Sequence, residues 1–84
     1  MKLLFEEGIA GEHNFHRLYK YGEYRIGIWV QDTHEHSMHS RNVTVALFSK
    51  TTMKWENLKT RTSMIESLEA TIEKLLMYAK YFLD

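Results

Sequence analysis

Asp32-Thr33-His34-Glu35-His36-Ser37-Met38-His39 gathers three imidazoles and two carboxylates within eight residues of an 84-residue chain. Neutral imidazoles with carboxylates close by are a donor set that zinc and other transition metals take. His34 and His36 share a side if the segment is extended, because strand side chains alternate. His39 could then complete a three-imidazole set with Asp32 or Glu35. The same residues could act as a charge switch instead, since an unperturbed imidazole titrates near pH ~6.5. A catalytic metal also needs an open coordination position, a cleft and hydrogen-bonded support behind its ligands. The segment therefore reads first as an exposed contact loop, and second as a site for zinc or another transition metal held by His34, His36 and His39.

Thr33-His34-Glu35-His36-Ser37-Met38-His39 resembles the Thr-His-x-His-x-Asp-His signature of the metallo-β-lactamase superfamily over these seven residues, with an apolar strand before it. Met38 stands where that signature has its aspartate, and no histidine follows His39. The superfamily's two-sheet sandwich also needs a far longer chain, so membership is excluded. Other catalytic sets are absent: there is no cysteine, no phosphate-cradling glycine loop and no serine elbow. The sequence predicts a protein without enzymatic activity.

Composition narrows the class further. Eighty-four residues make one domain that must stabilise itself by burial, because no disulfide is available. A 44% share of hydrophobic residues supplies a core and argues against disorder. The apolar start Met1-Lys2-Leu3-Leu4-Phe5 stops at Glu6-Glu7, too short for a signal-peptide core, so the expected location is the cytoplasm. Formal charge is zero, so no global field draws the chain to a membrane or to nucleic acid. Locally, Lys50, Lys54, Lys59 and Arg61 are opposed by Glu56 alone within residues 50–61. With Trp55 among them, these residues form an alternative nucleic-acid-binding set of phosphate contacts and a stacking ring.

The elements that position these groups follow from periodicity. Gly22-Glu23 predicts a two-residue type II′ hairpin between residues 14–21 and 24–31. That turn sets Tyr21 opposite Tyr24, Tyr19 opposite Ile26, Arg17 opposite Ile28 and Phe15 opposite Val30 on the core side. The outer side then pairs Lys20 with Arg25, Leu18 with Gly27 and His16 with Trp29. Trp29 folding over Gly27 onto Leu18 is one reading of that surface, and partner recognition by Trp29 and His16 is the other. Alternation over 42–48 predicts a third strand, joined to the second by the histidine segment. From residue 63 the period becomes helical: Ile65, Leu68, Ile72, Leu75, Ala79 and Phe82 form the core stripe, and Ser63 with Glu66 forms a capping box. Ala70, Met77 and Tyr81 make a second apolar face, which fits a contact between copies of the chain.

The expectation is an α+β domain in β-β-β-α order, an antiparallel sheet of three to four strands packed on one C-terminal helix. Residues 14–48 form the sheet, 63–83 the helix, and 1–12 an arm or an edge strand. The expected function is a stand-alone, non-enzymatic adaptor or inhibitor that docks on a larger protein, such as a host enzyme complex. It would bind through Trp29, His16, His34, His36 and His39 and self-associate through Met77 and Tyr81. In size and class it resembles the accessory proteins that phages and mobile elements encode, anti-CRISPR proteins among them. No cofactor is expected beyond the metal alternative, and no membrane contact.

Overall fold

Gly22 turns the chain at φ +59°, the left-handed value required at the first central position of a type II′ hairpin, while Glu23 does not take a positive φ. The computed structural model describes residues 1–8, 14–33 and 40–84. Around Gly22, strands β2 (Phe15–Tyr21) and β3 (Tyr24–Asp32) pair as the turn dictates, Tyr21 with Tyr24 through to Phe15 with Val30. The third predicted strand is β4 (Ser40–Ser49), longer than 42–48 at both ends.

Two further strands complete an antiparallel sheet of five. Lys2–Gly8 is β1, paired with β2, so the amino-terminal segment is an edge strand through residue 8. Lys54–Met64 is β5, paired with β4. The sheet is a meander in the order β1-β2-β3-β4-β5. Most of the basic segment 50–61 is therefore strand, beyond the sheet expected over residues 14–48. The helix also starts later than residue 63. Met64 ends β5, a 3-10 turn spans Ile65–Ser67, and α1 runs over Leu68–Leu83. The capping box does not form. Ser63 is a buried strand residue whose Oγ donates to the Met64 carbonyl at 2.9 Å and accepts from Thr71 Oγ1 at 2.9 Å. Ser67 precedes the helix without a side-chain capping bond.

One face of the sheet meets the helix. Ile26, Ile28 and Val30 of β3 and Val43 and Val45 of β4 are buried against Ile72, Leu75 and Ala79. Leu58 joins them because it is the extra residue of a β-bulge, where Lys59 pairs with Val45 and Asn57 with Ala46. Phe82 leaves the predicted stripe and is 62% exposed. At about 100° per residue it lies roughly 60° from the centre of the buried stripe, in the last turn, where Ala79 and Leu83 take the sheet side.

Arg17 explains how a charge can stand on the core face. Its guanidinium reaches the rim, where Nη1 and Nη2 grip both oxygens of Glu69 at 2.9 and 2.6 Å and Nε meets Glu6 at 3.1 Å. One side chain thus ties β1, β2 and α1 together. The hydrogen bonds from Arg17 hold the Glu69 carboxyl below its ordinary value, against a smaller opposing effect of desolvation. A depressed carboxylate stabilises the fold above its unfolded pKa of about 4.3 and loses that contribution as pH falls through the folded value. Glu69 is 69% exposed, so the effect is modest. Thermal midpoints of wild type and Glu69→Gln should therefore differ more at pH 7 than at pH 3; a gap independent of pH would refute this linkage.

At the other end of the helix, the Tyr21 hydroxyl donates to Asp84 Oδ1 at 2.8 Å. That bond raises the phenol above its ordinary value. Among the described residues, no helix is long and apolar enough to cross a membrane.

Candidate docking face of the sheet

The helix covers one side of the sheet, and strand register says what stands on the other. Directly paired residues share a face. One row holds Lys2, Lys20 and Arg25. The next runs Phe5, Leu18, Gly27, Ala46 and Asn57, and the third Glu7, His16, Trp29, Thr44 and Thr60. Gln31, Asn42 and Thr62 follow, with Phe48 paired to Trp55 at the opposite end of β4.

Across this uncovered face five rings touch in sequence. Phe5 meets His16 edge-on with centroids 5.8 Å apart, and His16 lies nearly parallel to Trp29 at 6.1 Å. Trp29 meets Trp55 edge-on at 5.0 Å, and Trp55 meets Phe48 edge-on at 5.4 Å. Every strand contributes one ring. Gly27 makes the centre of this ladder feasible: a Cβ there would overlap the six-membered ring of Trp29 and come within 3.1 Å of Trp55. Trp29 therefore folds over Gly27 as its sequence position suggested, and the glycine is buried although it has no side chain. The rings on the two edge strands stay accessible, Phe5 at 46% and Trp55 at 37%. His16 Nε2 lies 3.2 Å from Glu7. Beside the ladder, Thr44 and Thr60 hydroxyls bond at 2.7 Å, and Thr62 donates to Asn42 at 3.0 Å. A surface cleft of about 290 Å³ opens between His16, Trp29, Asn14 and Gln31.

Other predicted site residues are distributed differently. His34, His36 and His39 lie outside the described residues, so their contact and metal roles stand as proposals. Asp32, a candidate companion ligand, is committed elsewhere: it pairs with Nη1 of buried Arg41 at 2.9 Å, across the β3–β4 register. No group of three histidines and acids able to hold a metal occurs among the described residues.

The nucleic-acid set is split between faces. Trp55 is on the open face, whereas Lys59 and Arg61 pair with inward-facing Val45 and Val43, and Lys59 sits 4.8 Å from the centre of the Tyr78 ring on the helix. Lys54 pairs with Ser49, out of phase with Trp55, and Lys50 lies in the β4–β5 turn. These cations lie on or beside an edge strand with a bulge, features that resist pairing with another chain. Met77 and Tyr81 are exposed on α1 around a hollow of about 250 Å³ shared with Lys80 and Asp84.

Sequence reasoning placed Trp29 and His16 together but left Phe5, Phe48 and Trp55 off their surface. The missing signal was pairing, since Phe5, Phe48 and Trp55 reach that face through the registers of β1, β4 and β5. Comparison of the chain with protein-family models, curated proteins and solved structures gave no match.

Proposed function

We propose that this chain is a small non-enzymatic protein-binding module that docks on a larger protein through the uncovered face of its sheet. The ladder Phe5–His16–Trp29–Trp55–Phe48 supports this reading. Aromatic rings lose little side-chain entropy when buried in an interface and dominate its energetics, and tryptophan is the most enriched hot-spot residue. Trp29 covers Gly27, while the rings on the two edge strands, Phe5 and Trp55, are left part-exposed where a partner would bury them. An adaptor, or an inhibitor acting by occupancy in the cytoplasm, requires no more than such a face. The phage or mobile-element inhibitor remains the favoured instance, on size and class alone. Self-association through Met77 and Tyr81, and contacts from the histidine segment, belong to the same proposal.

Trp55 is the residue to test, because it stands on an edge strand and is part-exposed. In affinity capture from extract of the producing cell, wild type should retain a partner. Trp55→Ala should retain it at least ~30-fold more weakly, a loss of about 2 kcal/mol, while keeping a cooperative thermal transition and the wild-type secondary-structure content. Equal retention by both proteins, or no retained partner, would count against the reading.

A further inference from the structure

Lys2, Lys20 and Arg25 stand in direct cross-strand register on β1, β2 and β3, on the same face as the ladder. Neighbouring strands are only about 4.8 Å apart, and like charges placed directly opposite one another destabilise a sheet. Among the described residues none of the three takes part in an ion pair: Arg17, Arg41 and His16 account for all that occur. Arg25 donates only to the Tyr24 carbonyl, at 3.2 Å. The acidic groups nearby do not neutralise the row. Glu7, on the same face, is engaged by His16, and Glu23 sits at the hairpin tip without an ion pair. Three adjacent cations are thus held at a cost in stability, beside the rings that would bury a partner.

We propose that the Lys2–Lys20–Arg25 row receives an acidic strip on the protein partner, carboxylates spaced to meet three neighbouring strands, while the ladder covers an apolar patch beside it. This inference rests on the protein-binding reading and specifies the partner's chemistry. Charge complementarity sets the orientation of docking and speeds encounter. A single-stranded nucleic acid fits less well. Three of the four ring contacts are edge-on, at 71° to 81°, so successive rings do not form a continuous parallel platform for bases. The cations also stay at one end of the face instead of tracking a backbone across it, and the chain has no net charge to add affinity.

Two measurements on the full chain test this. Lys20→Glu should raise the thermal midpoint by roughly 1–5 °C, because it replaces repulsion on both sides by attraction. A lower midpoint would show that the fold itself needs the cation, and would overturn the proposal. In ¹⁵N NMR titrations at about 10 mM ionic strength, a deca-glutamate peptide should shift the amides of Lys2, Lys20 and Arg25. The shifts should vanish at about 0.3 M salt and in Lys20→Glu. Deca-thymidylate binding more tightly, with shifts of the Trp29 and Trp55 indoles, would assign the face to nucleic acid. No shift in the row with either probe would overturn the acidic-strip proposal while leaving the Trp55→Ala capture result to decide the docking reading independently.

Discussion

Leu75→Ala should lower the free energy of unfolding by about 3 kcal/mol, within the 2–5 kcal/mol usual for leucine truncation in a core. Leu75 is 1% exposed and sits at the middle of the only long helix among the described residues, packed in the cluster that includes Ile28 and Val45. Truncation removes its apolar burial, and the residual cavity cannot collapse readily, because a paired sheet forms one wall and the helix backbone the other. Domains are stable by about 0.05–0.15 kcal/mol per residue, so a chain of this size has roughly 4–13 kcal/mol in all. The loss is therefore a large fraction of the total. Urea denaturation should show a lower midpoint with an unchanged slope. A shift of less than 1 kcal/mol would mean that the helix is not the principal clamp on the sheet. The exposed Phe82, changed in the same way, is the control and should have little effect.

Gly27→Ala should damage both the fold and the proposed docking face. The added methyl group would occupy the space of the Trp29 ring and lie 3.1 Å from Trp55, whose ring, edge-on to Trp29 at 5.0 Å, limits the indole's retreat on one side. His16 lies beyond it on the other. Either Trp29 swings off the sheet, or β3 shifts against β2 and β4; overpacking of this kind costs about 1–3 kcal/mol. In the first case the ladder breaks at its centre, and near-ultraviolet circular dichroism should lose the signal of the two coupled indoles. Partner retention should fall along with it. An unchanged midpoint and spectrum would show that the rings move freely and that the ladder is not a preorganised surface.

How far the sequence disclosed this arrangement depended on what each segment buries. The β2–β3 hairpin was fully legible because Gly22 fixes the turn and the turn fixes the partner of every residue. β4 was legible from the alternation of Val43, Val45 and Leu47. β5 was not. It is an edge strand whose helix-side positions include Lys59 and Arg61, rim residues with aliphatic stems and solvated heads, so the hydrophobic period that marks a half-buried strand is missing. Its bulge at Leu58 also breaks the two-residue alternation. The helix start was misread for a related reason: Ser63 and Glu66 have the spacing of a capping box, but β4 holds Ser63 in the sheet opposite Arg41. Tertiary pairing overrode a local signal. Of the proposed docking face, His16, Trp29 and the Lys20–Arg25 pair could be read from the hairpin alone. Phe5, Trp55 and Lys2 became visible only when the strands flanking it were in place.

The meander has a kinetic consequence. Strand order in space is strand order in the chain, so each strand finds its neighbour one connection away and no crossover has to be threaded. Loop closure proceeds hairpin by hairpin, and the sheet can grow outward in both directions from the Gly22 turn, which lies between β2 and β3. The helix comes after every strand it covers, and its contacts with β3, β4 and β5 close the core over those hairpins. A chain built in this order can assemble its five-stranded sheet from consecutive hairpins, and should fold faster than a sheet of the same size built with crossovers.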